Sequence, residues 1–318
     1  MSRTLKKIFI TVSILSISHF HLLQGQDFHF SNITENLFKH NPAAITRTEK
    51  IAFQLTYRNQ WPGISSYNTY DGSFVFNSEP LKSTAGIFVL RDIQGDAIIN
   101  LTRFGIIYAY KTYVARNWFL AAGLDASYNI YSTNFSNLIF ENDQYPTIIP
   151  DENLNYFDFS AGFELSYQNI SRYGISVSRL ASFQSTLNNM PGLQVNLSYQ
   201  GKYLINTSYN KITTKIEPSF YTALQKNSSE LLYGSRVDIG GFVGGIYVRQ
   251  NLKFQFDAVI ILLGTRFDNF SIYYCYDINL SGADSRFTKL AAHEVTFLYD
   301  MQYKRKRHKK RTIKCPKI

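Results

Sequence analysis

Disulfides, membrane helices and familiar catalytic motifs are scarce or missing in this sequence. Two cysteines, Cys275 and Cys315, are too few to staple a fold. A chain of 318 residues can bury enough surface to form one large domain without them. Beyond the N-terminal leader no stretch approaches the roughly eighteen consecutive apolar residues of a membrane helix. There is no GxSxG, HExxH or CxxC, and His29, His40 and His293 have no partner at a recognisable spacing. No catalytic residue, metal ligand or cofactor site can therefore be named, and an enzyme is not expected.

Acidic residues are absent from both ends. The leader MSRTLKK carries three basic residues and the segment Tyr303 to Ile318 carries nine, which leaves 21 basic against 23 acidic residues between them. The net charge of +10 therefore belongs to the termini, and the nearly neutral body offers no basic face to a nucleic acid. Residues 1–25 read as a signal peptide: Arg3, Lys6 and Lys7, then the apolar IFITVSILSI, then a short stretch ending in Gly25. Ser16, Ser18, His19 and His21 break the run before it reaches spanning length, so an N-terminal membrane helix is the weaker reading. Export would place the basic tail, residues 304–318, outside the cytoplasm.

What is present in quantity is aromatic and alternating. Only three Met stand against 23 Tyr and 25 Phe, a balance that favours strands. In WFLAAGLDASYNIY, Trp118, Leu120, Ala122, Leu124, Ala126, Tyr128 and Ile130 share one face; Asp125, Ser127 and Asn129 lie on the other. FDFSAGFELSYQ repeats the pattern, with Phe157, Phe159 and Phe163 opposite Asp158, Ser160 and Glu164. Such lengths exceed ordinary sandwich strands and suit a tilted bilayer crossing. About fourteen segments follow, beginning near Ile51, Tyr67, Thr84, Leu101, Trp118, Tyr156, Tyr173, Leu193, Ile216, Leu231, Gly241, Gln255, Asn269 and His293. The expected fold is all-β: a transmembrane antiparallel barrel over residues 51–303, with lipid around it and polar side chains within. The longest joints, Ser132 to Asn153, Ala181 to Gly192 and Ile278 to Ala292, all fall at one end if strands alternate in direction. Outer-membrane barrels carry long loops outside and short turns in the periplasm, which puts the basic tail in the periplasm.

Several short motifs occur in order: QDFHFS (Gln26 to Ser31), NPA (Asn41 to Ala43), YRNQWP (Tyr57 to Pro62) followed by Tyr70, YDINLS from Tyr276, the pair His293 and Glu294, and CPKI at the end. In this combination the chain resembles the PorP/SprF family, outer-membrane proteins associated with type IX secretion and gliding motility in Bacteroidetes-type bacteria. The resemblance spans nearly the whole mature chain. It implies a cell outer-membrane protein that serves the secretion machine, as an accessory of the translocon or as the surface partner of one secreted protein such as a gliding adhesin. The sequence departs from the family pattern at Phe28, where Pro is frequent, in thinner glycine content of the early strands, and in the density of KRKRHKKR.

Two places are candidates for partner binding. At the outer end of the first strand, Tyr57 and Asn59 point one way and Arg58 and Gln60 the other, with Trp61 and Pro62 ending the strand. Arg58, Gln60 and Trp61 suit a surface receiving an exported polypeptide; the plainer alternative is an interfacial tryptophan with a lumenal polar pair. In the tail, Lys304, Arg305, Lys306, Arg307, Lys309, Lys310 and Arg311 suit electrostatic docking to a periplasmic secretion component or the anionic cell wall, or else form a solvated end. Residues 26–50 read either as a plug within the barrel or as a periplasmic lead-in. NPA before the first strand also occurs in barrels that carry fatty acids, so a porin or hydrophobic-substrate transporter is the competing function.

Overall fold

The computed structural model describes residues 29–62, 67–134, 151, 153–168, 170–181, 192–206, 213–226, 228–280 and 291–301. Fourteen antiparallel strands form one closed sheet. They are β1 Ile51–Gln60, β2 Tyr67–Ser78, β3 Ser83–Gln94, β4 Ile99–Ala115, β5 Trp118–Thr133, β6 Asn153–Tyr167 and β7 Ser171–Ser178. After these, β8 runs Gln194–Gly201 and resumes at Tyr203–Asn206, followed by β9 Thr213–Gln225, β10 Ser229–Ile239, β11 Phe242–Gln250, β12 Phe256–Phe267, β13 Phe270–Asn279 and β14 Ala291–Met301. Both halves of β8 pair with β9 in a single register, Gln200 opposite Ser219 and Tyr203 opposite Ile216, so Lys202 interrupts one strand. Closure comes from β1 and β14, paired from Ile51 opposite Met301 to Gln60 opposite Ala292.

The alternation places apolar residues outside and polar ones inside, the reverse of a soluble domain. Phe74, Ile87, Ile106, Leu124 and Phe163 are exposed, whereas Asp71, Asp125, Asp158, Glu164, Asp277 and Glu294 are buried. In water this arrangement would forfeit the hydrophobic gain; with lipid outside it satisfies both faces. Among the described residues no helix is long and apolar enough to cross a membrane. One end carries tight turns, for example at Arg116 and Asn117, where Asn117 takes φ 67°, and at Gly240 and Gly241, both with positive φ. The joints after β5, β7 and β13 lie at the other end, and their central residues fall outside the described ones.

Strand β12 departs from simple alternation, since AVIILL is apolar on both faces. Ile260 and Leu262 are fully buried inside while Ile261 and Leu263 face out. The reason is the segment before β1. Residues 29–50 run through the lumen as one helical turn, α1 (Ile33–Asn36), and two 3-10 turns, Leu37–Lys39 and Pro42–Arg47. Ile33, Leu37 and Ala44 pack against Tyr221, Leu232, Tyr247, Ile260, Leu262 and Tyr273, so these wall strands bury apolar surface on the inside as well. Ile45 joins a second cluster with Ala52, Val75, Phe88 and Ile107.

Leu124→Arg, near the middle of β5, places a charge against hydrocarbon and is expected to cost about 2–4 kcal/mol. Reversible urea unfolding from vesicles measures this, and an unchanged midpoint would mean that the face does not meet lipid.

Candidate functional site

The most elaborate chemistry of the described residues lies between the lumenal segment and the wall. Its upper fastening, toward the long-joint end, centres on Arg58. Tyr57 and Asn59 of β1 face out, so the strand turns Arg58 inward, where it is 2% exposed. Its Nη2 meets Asp277 Oδ2 at 3.0 Å, Nη1 lies 3.6 Å from Glu294 Oε2, and Nη1 also donates to Ser31 Oγ. Arg249 Nη2 reaches the same Asp277 oxygen at 3.1 Å. Glu294 accepts the backbone N–H groups of Ser31 and Asn32 at 2.6 and 3.0 Å, and Ser31 Oγ donates to Asp277 Oδ1 at 2.6 Å. Two arginines and two carboxylates thus share one buried site, each facing the opposite charge, and both carboxylates also accept hydrogen bonds from the plug.

Below it the segment is held on every side. Lys39 pairs with Asp71 of β2 and donates to Asn36 Oδ1 at 3.0 Å. Burial pulls the Lys39 ammonium below its usual pKa and Asp71 offsets part of that; burial likewise holds His40 neutral, its pKa pushed down to about 3. The His40 carbonyl accepts from Ser176 Oγ at 2.5 Å and Asn196 Nδ2 at 3.1 Å. Arg47 grips Glu164 at 2.6 Å and Gln200 at 2.5 Å. Glu35 receives Arg236 at 2.7 Å, and Arg236 also binds Glu217 at 2.5 Å.

The NPA turn is fitted to the wall through missing side chains. Asn41 Oδ1 accepts the Ala43 N–H at 3.0 Å and its Nδ2 donates to the Phe163 carbonyl at 3.1 Å. A Cβ at Gly123 would lie 2.4 Å from the Ala43 nitrogen, and one at Gly162 would lie 2.2 Å from Asn41 Oδ1. Only glycine permits so close an approach of plug to wall.

The rim residues divide. Tyr57 and Asn59 bond Asn68 Oδ1, both at 2.9 Å, and Tyr57 stacks on Tyr70 with ring centres 5.0 Å apart. Trp61, at φ 57°, sends its N–H to the Ala291 carbonyl at 2.9 Å and meets Tyr67 edge-on at 4.9 Å. Gln60 ends the strand opposite Tyr67 and Ala292, and Pro62 follows in the turn. Arg58 does not join this rim; it is committed to the plug. The tail residues Lys304, Arg305, Lys306, Arg307, Lys309, Lys310 and Arg311 lie outside the described residues, as does Cys315, while Cys275 is a buried free thiol. The fastening partners Ser31, Asp277, Glu294 and Arg249 carry no signal of contact in the sequence, although the first three belong to motifs visible there. No group of three His, Cys, Asp or Glu suited to a metal ion occurs among the described residues.

Fold and fastening together define a plugged β-barrel of the bacterial outer membrane. The chain belongs to the PorP/SprF family, type IX secretion system membrane proteins, whose family model matches residues 22–299. Similar solved structures include the Ralstonia pickettii toluene transporter TbuX, at 11% identity over 83% of this chain and 93% of that one, TM-score 0.45. The P. putida toluene transporter TodX is 8% identical over 83% and 93%, TM-score 0.47. The Acinetobacter baumannii outer membrane protein Omp33 is 9% identical over 80% and 99%, TM-score 0.44. No curated protein matches the chain.

Arg58→Met leaves Asp277 and Glu294 buried with a cation removed and should cost about 3–5 kcal/mol of plug anchoring. Faster proteolysis within residues 29–50 of the folded barrel is the expected readout. Gly123→Val should displace the NPA turn and raise single-channel conductance while the barrel still assembles.

Proposed function

We propose that this protein is a non-enzymatic outer-membrane component of type IX secretion that retains one exported, cell-surface protein at its long-joint end. The observation that carries the reading is the convergence of four family motifs on the plug. Ser31 of QDFHFS, Arg58 of YRNQWP, Asp277 of YDINLS and Glu294 beside His293 meet in one cluster, and Asn41 of NPA anchors the segment lower down. Residues used to fasten a plug favour a closed lumen, and a closed barrel serves better as a dock than as a conduit.

On this reading residues 1–25 are a signal peptide removed on export, and the short turns lie in the periplasm. The exported partner contacts the rim formed by Tyr57, Asn59, Gln60, Trp61 and Pro62, with Arg58 supporting that rim through the plug rather than touching the partner. Aromatic side chains at the mouth supply rigid, amphipathic contact area. The tail from Lys304 to Arg311, which begins just beyond the periplasmic end of β14, binds an anionic component of the secretion machine or the cell wall through long-range attraction that salt weakens.

Liposome swelling tests the closed lumen: a sealed barrel supports the dock, and free passage of small solutes supports a porin or transporter instead. Trp61→Ala with Gln60→Ala should abolish retention of the exported partner at unchanged barrel abundance; normal retention would remove the rim from the account. Deleting Lys304 to Ile318 should leave the barrel assembled but release a salt-sensitive periplasmic partner, and unaltered co-purification would argue against the tail.

A further inference from the structure

Below the plug the lumen opens at the short-turn end into a cavity of about 1080 Å³. Its ceiling is apolar, made by Leu37, Phe38, Ala44 and Ile45 of the plug. Its charges are unevenly partnered. Along β9, β10 and β12 they neutralise one another: Arg236 with Glu217 at 2.5 Å, Arg266 with Asp238 at 2.9 Å, and Lys215 with Asp238 at 3.2 Å. Along β4 to β8 they do not. Lys111, Arg172 and Lys202 line the cavity and form no ion pair among the described residues. Two acids bear on this wall, and each is already engaged: Arg47 occupies both oxygens of Glu164, at 3.3 Å on Oε1 and 2.6 Å on Oε2, and Glu217, which faces Lys202 in the β8–β9 register, pairs with Arg236 at 2.5 Å.

The spacing of the three cations narrows what they could hold. Lys111 sits on β4 opposite Ala121, and Arg172 sits on β7 opposite Ser166 and Gln200. Those strands are three inter-strand steps apart, about 14 Å along the wall. Lys202 stands beside Arg172 at the break in β8, its N–H bound to the Ile170 carbonyl at 2.7 Å. A single phosphate or carboxylate cannot bridge such a row, whereas an extended chain with acidic side chains can. Across the mouth, Glu49, Glu79, Asp268 and Asp300 line the other side, so an acidic ligand is steered toward β4 to β8.

We propose that this vestibule receives an acidic peptide segment of a periplasmic protein, with Lys111, Arg172 and Lys202 contacting its carboxylates and the underside of the plug covering its apolar stems. The inference rests on the outer-membrane reading for the side the short turns face, and on nothing about the exported partner. The three residues it names belong to the barrel wall and not to the segment from Lys304 to Arg311.

The test uses the full chain purified in detergent, with fluorescein-labelled hexaglutamate as the probe, and hexalysine and inorganic phosphate as controls. Lys111→Gln, Arg172→Gln and Lys202→Gln combined should weaken hexaglutamate binding about tenfold, the sum expected for three partly exposed charged contacts. A second full-length variant, with the basic residues from Lys304 to Arg311 changed to Gln, should retain it. Should the triple variant lose the heat-modifiable mobility of a folded barrel, Lys202→Gln alone, at an exposed position, should weaken binding about two- to fivefold. The proposal is overturned if hexaglutamate does not bind, if binding survives the wall substitutions, if neutralising the tail alone abolishes it, or if phosphate competes as well as the peptide. Peptide binding by the purified barrel and retention of an exported protein by cells are independent readouts, so either reading can fail alone.

Discussion

Hydrocarbon offers a backbone amide no hydrogen-bond partner, and the structure is organised around that constraint. A sheet of fourteen strands with two free edges would carry two rows of unsatisfied N–H and C=O groups; pairing β1 with β14 removes both. Once the sheet is closed, the outer face must be apolar and the inner face borders an enclosed volume. At fourteen strands that volume is wider than wall side chains fill. Residues 29–50 occupy it, and they bring the kind of packing found in a small soluble core: Ile33 and Leu37 against Tyr247, Ile260 and Leu262.

Apolar packing alone would let such a segment slide, because one aliphatic contact resembles another. The charges remove that freedom. Arg58, Arg249, Asp277 and Glu294 each reach another strand or the plug itself, and the two backbone N–H groups of Ser31 and Asn32 are aimed at one carboxylate. Buried pairs of this kind contribute little net stability against a well-packed apolar replacement, but breaking one is costly, so their chief effect is to select a single position. Arg47 with Glu164 and Arg236 with Glu35 repeat the device lower down, on different walls.

Most of the barrel was legible in the sequence, since lipid and water impose opposite demands on successive residues over long strands. The strand starts read near Ile51, Tyr67 and Trp118 coincide with β1, β2 and β5, and the others lie within a few residues. β12 departs from the alternation, because its inner face meets the plug and AVIILL has no reason to alternate. The fastening was legible only in fragments. The parity of β1 shows that Arg58 opposes Tyr57, but its partner Asp277 lies 219 residues away, and no spacing rule joins positions that far apart in a single sequence. The NPA turn reads as a motif, whereas its dependence on Gly123 and Gly162 emerges only when three separate elements are seen in contact.

Arg58 and Glu294 are direct neighbours across the β1–β14 ladder, in the same row of the register. That ladder joins the two strands most distant along the chain, the contact whose loop entropy is hardest to overcome. The arginine that bolts the plug therefore also rivets the seam where the wall meets itself. Plug and seam thus draw on the same charges, so losing the stopper leaves a buried acid short of its partner at the very join that closes the cylinder.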